Sequence, residues 1–240
     1  MMKIRVLATL LAVIGVLVMA GTAVASCTPS GSKRVASSGH WWSRMVVGPD
    51  EGSNCLTRTY ANIGNGNPYI YPYGGITSAW VMLIDESEPK AYAQVGWLKN
   101  PDGTRNNFSE VNASETNWNY SRVTYAANAV GDTPEYKMTY NSNYFHFLID
   151  GSDYRDFSSP SYGGCGVEQS GEIQNIASQM PGESISHDVF TNPYIWDGSY
   201  HESHLWTTLT GDVYGHPAGS FGNSTTGYPV SQMDIWDTCS

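Results

Sequence analysis

Short runs of alternating apolar and polar residues, each closed by turn residues, recur along most of this chain. The clearest are SAWVMLID (78–85), AYAQVGWLK (91–99), RVTYAA (122–127), EYKMTY (135–140) and YFHFLID (144–150), followed by GEIQNIA (171–177) and SHDVF (186–190). A period of two puts successive side chains on opposite faces of a strand. Asn100-Pro101-Asp102-Gly103, Asn141-Ser142-Asn143 and Asp150-Gly151-Ser152 punctuate the runs, and these residue types favour tight turns. EYKMTY and YFHFLID, joined across Asn141-Ser142-Asn143, form a hairpin candidate. There is no internal repeat and, past the N-terminal segment, no helical period of ordinary helix length. The 16 Tyr and 8 Trp suit pleated, half-buried surfaces. Many short strands at such spacing predict an all-β fold: a two-sheet antiparallel β-sandwich of jelly-roll, concanavalin-like form, with a concave face free for a ligand.

The N-terminus reads differently. MMKIR is basic, VLATLLAVIGVLVMAG is apolar, and Ala23-Val24-Ala25 has small-x-small form, which together make a secretory signal peptide over residues 1–25. SCTPSGSKRVASSGH (26–40) reads as a flexible lead-in, and 41–240 as a single sandwich domain. No later apolar run approaches the roughly 18 residues of a membrane span, so the expectation is a protein secreted to the extracellular space. Val24-Ala25-Ser26-Cys27 also has lipobox form, which leaves lipid anchoring through Cys27 as the alternative. Cysteine parity favours free secretion: Cys27, Cys55, Cys165 and Cys239 make two disulfides in an oxidising compartment. Three pairings are open, with a preference for Cys27–Cys55 and Cys165–Cys239. Without Lys3 and Arg5 the chain carries 10 basic against 22 acidic residues, a charge of −12, which argues against nucleic acid or anionic membrane surfaces as partners.

Splitting AYAQVGWLK by two puts Ala91, Ala93, Val95 and Trp97 on one face, fit for a core, and Tyr92, Gln94, Gly96 and Leu98 on the other. Gly96 leaves room for something to approach the backbone. In GEIQNIA, Glu172, Gln174 and Ile176 share a face. A carboxylate inside a sandwich strand faces solvent or a groove, because burying an unpaired charge is costly. Two strands therefore carry a Gln and a Glu that can line one groove.

SAWVMLID followed by AYAQVGW resembles the strand pair of the eqolisin-type glutamic peptidases, in which a Trp-Val strand precedes one bearing the catalytic glutamine in a Gln-x-Gly context. Val95-Gly96-Trp97 and Gly171-Glu172-Ile173 are similar to the surroundings of the two glutamates of neprosin-like peptidases. AQVGW with Gln179-Met180-Pro181-Gly182 also resembles a group of secreted bacterial proteins of unassigned function, and that likeness implies no activity. Gln174 and Asn175 stand where eqolisins carry aromatic and acidic residues. The peptidase resemblance implies that Glu172 is the general base on a water and returns its proton to the leaving nitrogen. It implies that Gln94 orients the water and stabilises the oxyanion. Such a dyad uses no metal or cofactor and works at acidic pH, near the carboxyl pKa of about 4.3. The partner is then a peptide, with Tyr92, Tyr144 and His146 lining the groove.

Competing readings use other residues. His201-Glu202-Ser203-His204, with His187 and His216, lacks helical HExxH spacing and does not read as a metal site. Asp234-Ile235-Trp236-Asp237 reads as a closing edge strand. Trp41-Trp42 and Tyr69-Ile70-Tyr71-Pro72-Tyr73 read as core and turn packing. Aromatic platforms also stack sugars, so a non-catalytic module binding a cell-surface glycan is the alternative function. Glu172 paired with Glu110 or Asp150 is a conceivable glycosidase couple.

Overall fold

The structure, a computed structural model, describes residues 38–47, 56–85, 91–112, 120–159, 162, 166–175, 178–182, 187–196, 207–212, 221–227 and 230–237. The four cysteines, the signal-peptide segment and the His201–His204 cluster lie outside them. The described residues form β1 (Ser38–Val47), β2 (Arg58–Ile63), β3 (Thr77–Asp85), β4 (Ala91–Lys99), β5 (Arg105–Asn112), β6 (Tyr120–Ala126) and β7 (Glu135–Asn141), then β8 (Tyr144–Ile149), β9 (Ser152–Ser158), β10 (Gly166–Asn175), β11 (Asp188–Trp196), β12 (Thr207–Asp212), β13 (Phe221–Thr226) and β14 (Gln232–Asp237). They pair antiparallel in two seven-stranded sheets, ordered β12-β1-β10-β3-β4-β5-β6 and β13-β14-β11-β2-β7-β8-β9. This is the expected β-sandwich. No helix of the described residues is long and apolar enough to cross a membrane.

The core lies between the sheets. Val81 and Leu83 of β3 and Ala93, Val95 and Trp97 of β4 meet Ala61 and Ile63 of β2, Tyr136 and Met138 of β7, and Phe145 and Phe147 of β8. The Trp97 indole N–H donates to the Gly64 carbonyl at 2.9 Å, so the ring is buried with its one polar atom satisfied.

Turns set the register. β7 and β8 close with Asn141 opposite Tyr144, and Ser142 and Asn143 sit at φ 49° and 68°, the two positive values a type I′ hairpin needs. The β8–β9 turn repeats the device with Asp150 and Gly151 at φ 49° and 74°. Where β6 and β9 end the two sheets, Arg155 of β9 donates to the Ser121 hydroxyl at 2.7 Å and its carbonyl at 3.2 Å, tying edge to edge.

Two expectations need correction. The lead-in does not extend to residue 40, because β1 already begins at Ser38, which pairs with Asn175 of β10; the Trp41-Trp42 pair supplies the apolar content that carries the strand. Asp234–Asp237 is not at an edge, since β13 pairs outside β14.

Candidate functional site

The outer face of the first sheet is concave and encloses a groove of about 570 Å³. Pairing registers arrange its side chains in rows across the strands. Ile84, Tyr92, Asn112 and Tyr120 form one row and Glu168, Met82, Gln94, Glu110 and Arg122 the next. Ser170, Trp80, Gly96, Phe108 and Thr124 follow, then Trp42, Glu172, Ser78, Leu98 and Asn106. Gln94 and Glu172 therefore open on the same face, on a diagonal, with the row of Trp80, Gly96 and Phe108 between them. Both line the groove.

Gly96 explains the depth of that middle row. A Cβ there would lie 2.0 Å from the Ala79 carbonyl oxygen and 2.7 Å from the Trp80 Cα. What approaches the backbone at Gly96 is thus β3 itself. Ile76, Trp80, Met82, Leu98 and Phe108 form an apolar floor, so both faces of β4 are buried, one in the core and one under the groove.

At one end, the Glu110 carboxylate gathers four donors. Oε1 accepts from the Tyr92 hydroxyl at 2.6 Å and from Gln94 Nε2 at 3.1 Å. Oε2 accepts from the Tyr120 hydroxyl at 2.8 Å and from Arg122 Nε at 2.5 Å. A buried charge is tolerated when every lone pair is met in this way. Burial and the adjacent Glu110 push the Tyr92 and Tyr120 phenols well above their ordinary range, so both act as O–H donors. Burial pulls the Arg122 guanidinium down, but Glu110 outweighs it and the net shift is upward.

At the other end, Glu172 Oε1 meets His40 Nδ1 at 2.5 Å, and Oε2 accepts from the Trp80 indole N–H at 3.2 Å. The hydrogen bond to Glu172 raises the His40 imidazole above its ordinary value, against the lowering effect of its partial burial. The ends sense each other: the charge of Glu172 also raises Tyr92, Tyr120 and Arg122, and that of Glu110 raises His40. Between them Glu168 pairs with Arg44, whose guanidinium lies 4.8 Å over the Trp42 ring. Burial drives the Glu168 carboxyl upward against the opposing pull of Arg44.

Of the expected substrate-lining residues, Tyr92 stands in the groove and the other two do not. Tyr144 and His146 lie on β8 in the second sheet, because the period of two fixes a face within a strand and not which sheet receives it. His146 Nδ1 contacts Asp156 at 2.6 Å and Nε2 contacts Asn141 at 3.1 Å, on the surface of the β8–β9 hairpin. Asp150 is likewise a turn residue of the second sheet, bonded to the Glu135 amide, so the Glu172–Asp150 couple has no groove in common. The residues missed were His40, Arg44, Tyr120, Arg122 and Glu168. A signal existed for the last: GVEQSGE puts Glu168, Ser170 and Glu172 on one face of a single strand. His40 gave none, since it stood in a stretch without pattern.

No family model matches this chain, and no curated protein matches it. Solved structures do. Scytalido-glutamic peptidase with a peptide-based transition-state analogue aligns at TM-score 0.57 and 12% identity, over 85% of this chain and 100% of its own. SCP-B, a member of the eqolisin family in complex with the tripeptide Ala-Ile-His, aligns at TM-score 0.54 and 13% identity, over 85% and 100%. A glycoside hydrolase family 16 endo-glucanase from Bacteroides ovatus reaches TM-score 0.39 over 56% of this chain and 65% of its own, too partial a match to bear on the site. The chain is built on the β-sandwich fold seen in the glutamic peptidases.

Proposed function

We propose that this protein is a secreted hydrolase of glutamic-peptidase type that cleaves extended peptides in the groove of the first sheet, on the acid side of neutrality. The observation that carries the reading is the diagonal of Gln94 and Glu172 across one open groove, each held by named partners. Glu172 is the general base: it takes a proton from a water as the oxygen attacks the scissile carbonyl. Gln94 orients that water and offers its amide N–H to the oxyanion, pre-set by Glu110 so that little reorganisation is needed at the moment of reaction. The floor of Trp80, Met82 and Phe108 suits an apolar side chain of the peptide.

The test is hydrolysis of an unstructured protein, reduced casein, from about pH 3 to pH 7, by wild type and Glu172→Gln side by side. Cleavage that resists chelators and falls by about 100-fold or more in the variant supports the reading; no cleavage by folded wild type overturns it. The second reading is a module that binds a cell-surface glycan, favoured by the indole of Trp80 and the phenols of Tyr92 and Tyr120 lining the same groove. It predicts retention on a glycan array that Glu172→Gln leaves intact.

A further inference from the structure

We propose that His40 is the proton donor to the leaving nitrogen in this groove, held through Nδ1 by Glu172 so that Nε2 faces the substrate; this rests on the peptidase reading of the same site. His40 stands on β1 at the lip of the groove, half exposed, while Glu172 below it is largely covered. The 2.5 Å contact fixes Nδ1, and among the described residues Glu172 is its only hydrogen-bond partner. A carboxylate on one ring nitrogen sets the tautomer and orientation of an imidazole whose other nitrogen does proton work.

The charges acting on the ring are Glu172 of β10, which bonds it, and Glu110 of β5 and Arg122 of β6; the bond to Glu172 leads in favouring imidazolium, against partial burial and Arg122. A dyad of one glutamate and one glutamine must use the same carboxyl as base and then as acid. An imidazolium beside it divides those tasks. Glu172 takes one proton from water as the C–O bond forms and the carbonyl electrons move to oxygen. The oxyanion then collapses, the C–N bond breaks, and its electron pair takes the Nε2 proton of His40. The products are a carboxylic acid and an amine. Glu172 loses its proton to solvent and Nε2 regains one, so the balance is one water per bond cleaved.

The consequence is an upper pH limit set by His40 rather than by a carboxyl. In casein hydrolysis by wild type, His40→Gln and His40→Ala, His40→Gln is expected to lower kcat about 100-fold. KM should stay close to wild type, and the remaining activity should be confined to more acid pH. Added imidazole is expected to restore activity to His40→Ala. Alongside, NMR titration of the His40 ring in wild type and Glu172→Gln is expected to show its pKa fall towards the ordinary value of about 6.5 in the variant. Wild-type cleavage with an unchanged pH profile in His40→Gln overturns this inference alone, as does a ring that titrates identically in both proteins. No cleavage by folded wild type overturns the peptidase reading and this inference with it.

Discussion

Glu110 is only 3% exposed yet carries the partners of a whole site. Its four donors come from β4 and β6, so it clamps three adjacent strands and fixes the Gln94 amide. Removing Glu110 leaves two phenols and a part-exposed Arg122 without their acceptor, at about 1–3 kcal/mol. Glu110→Ala is therefore expected to lower stability by that amount in denaturant unfolding, and the milder Tyr92→Phe by about 1 kcal/mol. In the proposed reaction Gln94 has a different role: its amide matters most where negative charge develops. Gln94→Ala is expected to reduce kcat by about 100- to 1,000-fold with a much smaller change in KM, read in steady-state peptide hydrolysis.

At the scale of elements, β4 shows how a strand can be buried on both faces and still hold a site. Gly96→Ala would drive a Cβ against the β3 backbone, and overpacking of this kind costs about 1–3 kcal/mol. In a chain of this size that lowers the thermal midpoint by several degrees, at about 2–4 °C per kcal/mol, measurable by calorimetry. Arg155 makes the matching test at the sheet edges: Arg155→Ala is expected to speed amide exchange in β6 while leaving β3 protected. What the sequence made legible divides along the same line. Alternation located β3, β4, β7 and β8 and assigned the two faces of β4 correctly, because a period of two is a local property. It is silent on which sheet each strand joins, so alternation alone does not keep Tyr144 and His146 from a groove they do not reach. β1 was hidden at its start because Ser38-Gly39-His40 carries no alternation; partners 132 residues away hold His40 in place. Gln94 stands out as the polar side chain of a mostly apolar strand and Glu172 through its Gly171-Glu172-Ile173 context, whereas Arg122 and Tyr120 belong to an edge strand where polar residues are ordinary.

Over the whole molecule, several titrations point the same way. Asp188 is buried against Gly64 and Gly182, and burial pushes its carboxyl up to about 7, against the lowering effects of the Val189 amide and Arg105. A carboxyl raised on folding leaves stability intact below its unfolded value of 3.8 and erodes it as pH rises towards 7, on the order of 1 kcal/mol per pH unit. Glu168 is also raised and acts in the same direction. His40, raised by Glu172, contributes stability below its unfolded value that is lost as pH rises through its folded one. Asp102, lowered by Thr104, works oppositely, only in strong acid. The fold is therefore expected to be more stable near pH 4.5 than near pH 7.5, and Asp188→Asn to flatten most of that slope in urea unfolding. The expected stability profile then runs in the same direction as the acidic working range of the proposed reaction. The most direct measurement of the central claim, that Gln94 and Glu172 act on one substrate from one groove, is a double-mutant cycle on kcat/KM with Gln94→Ala, Glu172→Gln and the combined variant. Residues acting in one step are strongly non-additive, so the combined variant is predicted to be no slower than Glu172→Gln alone. Losses that multiply fully would show two groups working independently and would contradict it.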